Sequence, residues 1–258
     1  TVINIMRYAA YVLALCSTLY LWLRPRREYP YPVPEKRINP IDVIRIPISN
    51  KRFINTVIIF FIYNFVANVN SGSWSYYVMN TLEYRLVYMF VIHVAYSLAY
   101  IFMLPRWRRA VSSRGYFKVY LFAMIMSAIL EIPMALTRGG TVWVYLVTSV
   151  LQGINLVGTS YINSNLFYIN LPEGKTDTCI VFWNLGTNIF ALLGSLAGTA
   201  FIAFTEKTGP YNLNFDFLFF HVRDYTMYGS QLLVYIKSML YVVMCVFIIV
   251  IMRRINTA

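Results

Sequence analysis

Charged side chains are scarce in this sequence. Asp, Glu, Lys and Arg make up 12% of the 258 residues, whereas hydrophobic residues make up 59% and the mean hydropathy is +0.58. Such a balance excludes a water-soluble globular domain. The apolar runs are long and lack the alternation of a membrane β-barrel, so the sequence predicts an all-α protein that crosses the membrane several times.

Histidine and cysteine are scarce as well. Neither of the two histidines, His93 and His221, stands at metal-ligand spacing from a cysteine or a carboxylate. The three cysteines, Cys16, Cys179 and Cys245, lie in or beside apolar runs and indicate nothing about disulfides. The sequence also lacks a phosphate-binding glycine-rich loop and a nucleophile with a neighbouring base. We therefore expect neither an enzyme nor a bound metal or cofactor.

Acidic residues number 10 against 22 basic ones, which gives a formal net charge of +12. An excess of this size can indicate nucleic-acid binding, but here the basic residues gather in short segments between apolar runs. Most fall on one side of the predicted membrane, in residues 24–52, in the loop 105–118 and after Met252. By the positive-inside rule that side is cytoplasmic. We therefore expect a multi-pass protein of the plasma or inner membrane, with Ala258 in the cytoplasm and no nucleic-acid partner.

Seven apolar runs are long enough to cross a hydrocarbon core of roughly 30 Å. The predicted spans cover residues 1–23, 53–78, 84–104, 119–137, 142–168, 178–204 and 231–252. Prolines and basic residues make 24–52 a linker. The segment Asn212–Tyr228 is predicted to be an interfacial loop with aromatic residues at headgroup level, namely Phe215, Phe217, Phe219, Phe220 and Tyr225. No signal peptide is recognisable, and we expect a further amino-terminal part of the protein.

Polar residues recur at helical spacing inside three of these spans. They are Asn64, Asn68, Ser71 and Ser75 in the second span, Gln152, Asn155, Thr159 and Asn163 in the fifth, and Asn184, Thr187, Asn188 and Ser195 in the sixth. Amides are costly in lipid unless they face protein or water, so aligned stripes predict a wet cavity or a polar seam between helices. In the sixth span, Gly194 and Gly198 offer a flat surface for close helix contact.

Three segments carry a resemblance to a known family. Asn50-Lys-Arg-Phe-Ile54 leads into an Asn-bearing span, and Leu171-Pro-Glu-Gly-Lys-Thr176 leads into a Gly- and Asn-bearing one. Between them, the basic loop runs from Pro105-Arg-Trp through Ser112-Ser-Arg-Gly115 to Lys118. These segments resemble the start of helix seven, the loop between helices ten and eleven, and the loop between helices eight and nine of the major facilitator superfamily (MFS). Ser112 or Ser113 stands where members often carry an Asp.

The chain thus resembles the carboxy-terminal half of an MFS transporter, residues 53–258, preceded by the last helix of the amino-terminal half and the linker. The resemblance implies secondary active transport by alternating access, in which two six-helix halves move about a central site. It makes the amino-terminal half of the same protein a partner, without which this chain transports nothing.

Within this family the first and fourth helices of each half line the central cavity. The resemblance therefore assigns six polar residues to solute binding: Asn64, Asn68, Ser71, Gln152, Asn155 and Thr159. Because none carries a fixed charge, we predict a neutral polar solute such as a sugar or a glycoside. Interhelical hydrogen bonding by the same residues and multidrug-type efflux on the same fold are the alternatives.

Ionisable residues inside the spans suggest ion coupling, for example in a symporter. Glu131 is the only carboxylate deep inside a predicted span, and His93 is a candidate titrating partner. A structural Glu131 is the alternative. Lys237 is predicted to snorkel to the outer interface. The alternative from another class is a seven-span receptor or photoreceptor, since a lysine in the seventh span could hold retinal as a Schiff base, although Leu233 stands where microbial rhodopsins have an Asp.

Overall fold

The computed structural model describes residues 11–12, 15–20, 23, 40–172, 174–217 and 220–256. The chain divides into two units, Thr1–Ile38 and Asn39–Ala258. In the first unit the described residues are helical, and Tyr11, Leu15 and Leu19 are more than half exposed. This agrees with a helix in the predicted span 1–23, whose other residues lie outside the described ones.

The described part of the second unit is built almost entirely of helices. They are α1 (Pro40–Ser49), α2 (Lys51–Asn68), α3 (Ser71–Tyr76), a π-helix (Tyr77–Thr81), α4 (Leu86–Arg114), α5 (Tyr116–Ala135), α6 (Val142–Ile169), α7 (Thr176–Thr208) and α8 (Gly229–Asn256). Within the described residues, six helical segments are long and apolar enough to cross a membrane: Lys51–Thr81, Leu86–Arg114, Tyr116–Ala135, Val142–Ile169, Thr176–Lys207 and Gly229–Met252. The prediction of an all-α membrane protein is thereby confirmed.

Helix α4 differs most from its predicted span, 84–104. It continues through Pro105 to Arg114, where a basic loop was predicted. The extension is held against α6, because the Trp107 ring packs on Gly158 and its Nε1 donates a hydrogen bond to the Ile154 carbonyl oxygen at 3.1 Å. Gly115, with a φ of 82°, then ends the helix, and α5 begins at the next residue.

The predicted linker 24–52 is also helical in part, since α1 covers Pro40–Ser49. Its start is favourable, because proline suits the first helical position and Asp42 complements the amino-terminal dipole. Asn50 separates α1 from α2 and caps α2, as its Oδ1 accepts hydrogen bonds from the backbone N–H groups of Arg52 and Phe53, each at 3.1 Å. Residues 24–39 lie outside the described ones.

Glycines bring α7 close to α2. An added Cβ at Gly194 or Gly198 would overlap the backbone carbonyl oxygen of Phe65 or Val69. Only a residue without a side chain allows the two backbones to approach this closely. The flat surface predicted at Gly194 and Gly198 is confirmed, and it packs on α2.

Two buried polar contacts fix the antiparallel register of α5 and α8. The Gln231 Nε2 atom donates a hydrogen bond to the Ala135 carbonyl oxygen at 2.8 Å, and the Ser238 hydroxyl donates one to the Ala128 carbonyl oxygen at 2.7 Å. Both side chains are buried, so neither bond competes with solvent. The register places Lys237, in the first third of α8, beside Glu131 of α5.

The predicted loop Asn212–Tyr228 is instead a β-hairpin. Strand β1 (Tyr211–Phe217) pairs antiparallel with β2 (Phe220–Met227), with an irregularity between Leu213 and Phe215. The physical reason is the alternation of polar and apolar residues in Asn212-Leu-Asn-Phe-Asp-Phe217, which favours a strand. Phe219 lies outside the described residues, and the headgroup position of the aromatic residues stays a prediction.

Candidate functional site

A cavity of about 460 Å³ lies between the membrane-spanning segments that contain α2, α4, α5, α6 and α8. Its polar lining consists of Tyr63, Ser75, His93, Tyr96, Ser127, Glu131, Tyr145, Ser149, Gln152, Asn155, Thr159, Lys237 and Tyr241. The volume is in the range of small-molecule sites. A polar cavity at membrane depth confirms that the predicted stripe of α6 borders such a space.

An ion pair between neighbouring helices forms part of the cavity wall. The Lys237 Nζ and Glu131 Oε1 atoms are 2.7 Å apart, and the two side chains are 12% and 5% exposed. Helical side chains tilt toward the amino terminus of their helix, so Lys237 reaches back along α8 to the level of Glu131. The structure therefore corrects the prediction that Lys237 snorkels to the outer interface, because a deep carboxylate holds it inside.

His93 does not take the role of partner to Glu131, which pairs with Lys237 instead. His93 lies on α4, lines the same cavity and is exposed, and its backbone carbonyl oxygen accepts a hydrogen bond from the Ser97 hydroxyl at 3.0 Å. The cavity thus contains both residues predicted for ion coupling.

Asn155 and Thr159 are buried in the wall that α6 contributes. The Asn155 Nδ2 atom donates hydrogen bonds to the Ala123 carbonyl oxygen at 2.9 Å and to the Ser127 hydroxyl at 2.8 Å. Thr159 accepts a hydrogen bond from the Tyr63 hydroxyl at 3.4 Å. These contacts confirm interhelical hydrogen bonding for both residues and orient their side chains beside the cavity.

Two buried amide atoms at the cavity wall lack a hydrogen-bond partner among the described residues. They are Gln152 Nε2, a donor, and Asn155 Oδ1, an acceptor. A buried polar atom without a partner costs free energy, roughly 1–3 kcal/mol, unless water or a ligand satisfies it. Because both residues line the cavity, a rotation of either side chain would present its donor or acceptor to a polar molecule there.

A second pocket, of about 450 Å³, lies between α2, α6 and α7 and shares Tyr63 with the first. Asn64, Asn163 and Asn184 line it. The Asn64 Nδ2 atom donates a hydrogen bond to the Phe60 carbonyl oxygen at 2.9 Å, whereas Asn163 Oδ1 has no partner among the described residues. The stripes of the second, fifth and sixth spans thus meet at this pocket.

The predicted site residues are only partly brought together. Gln152, Asn155 and Thr159 line the first cavity, and Asn64 lines the second pocket. Asn68 donates to the Asn64 carbonyl oxygen at 2.8 Å, and Ser71 donates to the Asn68 carbonyl oxygen at 3.1 Å, so both side chains bond to their own helical segment.

Among the described residues, no group of three or more His, Cys, Asp or Glu side chains is arranged to hold a metal ion. Comparisons with protein-family models, with curated proteins and with solved structures give no match.

Proposed function

We propose that this chain is one half of an MFS-type secondary transporter that carries a neutral polar solute, such as a sugar or a glycoside, by alternating access. The observation that carries the proposal is a pair of amide side chains, Gln152 and Asn155, that line a cavity between the membrane-spanning segments and whose Nε2 and Oδ1 atoms, respectively, have no partner in the described structure. A solute hydroxyl group both donates and accepts, so one hydroxyl-rich molecule satisfies both atoms.

The charge balance of the cavity supports a neutral solute. Glu131 and Lys237 form a pair of opposite charges, so they add no net charge to the lining. A charged solute would have to displace one member of this pair and leave the other buried without a partner, which costs several kcal/mol. A neutral solute leaves the pair intact and uses the free amide atoms.

Exposed polar side chains inside the spans support a second membrane unit as a partner. They lie on α4 and α7 and comprise His93, Ser97, Asn184, Asn188 and Thr199. Ser97, Asn188 and Thr199 each donate to a carbonyl oxygen of their own helix. Lipid offers no partner for the remaining hydrogen-bonding capacity of the set, which favours protein or water beside it. We propose that the partner is the amino-terminal half of the same protein, and that the two pockets open toward it.

Proton coupling through Glu131 and His93 remains part of the proposal. Both residues line the cavity, and the Glu131 carboxylate contacts Lys237 of the neighbouring helix α8. The test is the pH dependence of solute uptake in Glu131→Gln and His93→Gln variants. Loss of the pH dependence in either variant would support coupling, whereas an unchanged profile in both would contradict it.

The ion pair also favours a second candidate, a retinal-binding photoreceptor. A protonated Schiff base on Lys237 would require a carboxylate beside it, and Glu131 provides one. This carboxylate comes from α5 and not from the last span, where microbial rhodopsins have their Asp. The two amides of the lining, Gln152 and Asn155, argue against a long apolar chromophore. Addition of all-trans-retinal decides: a visible absorption band that Lys237→Met removes would establish the photoreceptor and exclude transport as the role of this cavity.

The transporter proposal is tested by thermal unfolding of the purified protein with a panel of solutes. We expect stabilisation by one or more neutral sugars or glycosides, such as lactose or methyl glucoside, since ligands that bind the folded state raise its stability. Gln152→Ala should abolish the shift. Asn80→Ala is the matched control, because it removes an exposed amide outside both pockets. Stabilisation only by an organic cation such as ethidium would contradict the sugar proposal and favour drug efflux.

A further inference from the structure

Helix α1 exposes a ridge of three isoleucines. Ile41, Ile44 and Ile48 are 68%, 58% and 53% exposed. At 100° per residue they lie within roughly 60° of one another around the helix axis. The opposite side of α1 is covered, since Val43 and Pro47 are buried where α1 packs against α2 and α7. The helix therefore carries apolar residues on its exposed side as well as on its buried side.

A basic pocket adjoins the carboxyl end of this helix. It has a volume of about 510 Å³ and is lined by the cations Lys51, Arg52 and Lys175 together with Ser49 and Asn50. No carboxylate lines it, and within the described residues none of the three cations forms a salt bridge. Glu173, in the same loop as Lys175, lies outside the described residues. The pocket has the charge and the hydroxyl and amide groups that bind a phosphate group.

We propose that α1 is an interfacial helix that binds an anionic phospholipid. In this arrangement the isoleucine ridge inserts at the boundary between headgroups and acyl chains, and Lys51, Arg52 and Lys175 hold the lipid phosphate.

The position of α1 in the chain supports this arrangement. At ten residues, or roughly 15 Å, the helix is too short to cross the bilayer, and it ends one residue before the span that starts at Lys51. The helix therefore lies at the level where a spanning segment enters the membrane. Arg45, also exposed, flanks the ridge and can reach the same layer of phosphates. The inference does not depend on the transported solute.

Lipid-dependent stability tests the phosphate site. The detergent-solubilised protein is titrated with phosphatidylglycerol or with phosphatidylcholine of the same acyl chains, and the rise in unfolding temperature gives an apparent dissociation constant. Phosphatidylglycerol should stabilise the protein more strongly. At about 1 kcal/mol for each basic residue at a lipid surface, Lys51→Gln with Lys175→Gln should weaken its binding roughly 30-fold.

The matched control removes two positive charges elsewhere, by Arg114→Gln with Lys118→Gln at the junction of α4 and α5, where both residues are exposed and line none of the pockets described. This control should change the dissociation constant less than about threefold, which corresponds to a change of less than about 1 kcal/mol in binding free energy. Equal weakening in the two double variants would show attraction by net charge alone and would overturn the site. Equal stabilisation by the two lipids would overturn it as well.

The depth of the ridge is tested separately with an environment-sensitive fluorophore. It is attached to Ile44→Cys, or to Ser112→Cys as an exposed control, in a chain whose three native cysteines are replaced by alanine. In phosphatidylglycerol-containing nanodiscs, the label at position 44 should be quenched by spin-labelled lipid and protected from iodide, and the label at position 112 should show the reverse. Quenching of position 44 by iodide would overturn the proposal. Protection from both quenchers would also overturn it, because it would show that a protein unit covers the ridge.

Discussion

The buried ion pair makes a sharp prediction about stability. Lys237→Met removes the positive member and leaves the Glu131 carboxylate, which is 5% exposed, without its partner at 2.7 Å. Removal of one member of a buried pair costs about 3–5 kcal/mol, because the remaining charge stays desolvated. For a chain of this length, about 1 kcal/mol shifts the unfolding temperature by roughly 2–4 °C, so the expected fall is roughly 6–20 °C.

A double-mutant cycle separates this effect from lost packing. Glu131→Gln combined with Lys237→Met removes both charges, and its free energy of unfolding should lie within about 1.5 kcal/mol of the native value. The control is Lys207→Met, which removes an exposed lysine of α7 and should change stability by less than about 0.5 kcal/mol. Unfolding in detergent is followed by tryptophan fluorescence. If Lys237→Met behaves like Lys207→Met, Lys237 snorkels as the sequence alone suggests, and the reasoning about the pair is refuted.

Three further predictions concern packing and the cavity. Gly198→Leu should destabilise the protein by at least about 1–3 kcal/mol because its side chain meets the backbone of α2, whereas Ala197→Leu, at an exposed neighbour, should be nearly neutral in thermal unfolding. Asn155→Ala should lower the free energy of unfolding by about 1 kcal/mol, because it removes two interhelical hydrogen bonds. Gln152→Ala should leave stability unchanged and lower solute affinity, because Gln152 Nε2 has no partner among the described residues. Equal losses of stability in the two variants would contradict this division. Trp107→Phe should cost about 1 kcal/mol by loss of its indole hydrogen bond, and a neutral result would show that ring packing alone holds the α4 extension.

Hydropathy was sufficient to predict the spanning helices of the second unit, because each must satisfy its backbone internally and cover the bilayer with apolar side chains. Helix ends were less predictable. Basic residues end the apolar run of α4 near Pro105 but do not end the helix, which continues to Gly115 because Trp107 packs on α6. The hairpin after α7 was missed although polar and apolar residues alternate in its first strand. The aromatic residues of the segment instead favoured the prediction of an interfacial loop.

The candidate site could be predicted in part, because helical periodicity shows which residues share a face but not which helices meet. The stripe of α6 was correctly expected to line a polar space, yet the stripe of the second span is divided, with Asn64 of α2 at one pocket and Ser75 of α3 at the other. The ion pair was missed although the sequence carries a signal for it. Glu131 and Lys237 are single charged residues inside two different spans, and each is too costly in lipid to remain unpaired.

Counterflow in proteoliposomes tests most directly whether the cavity around Gln152 carries a neutral solute. Vesicles that contain the protein with its partner half are loaded with an unlabelled neutral sugar, such as lactose, and diluted into a trace of the same sugar in labelled form. The native protein and the Asn80→Ala control should accumulate label transiently with at least one sugar of the panel, and Gln152→Ala should not. Accumulation of label by Gln152→Ala to the native level, or of an organic cation but no sugar by the native protein, would contradict the proposal.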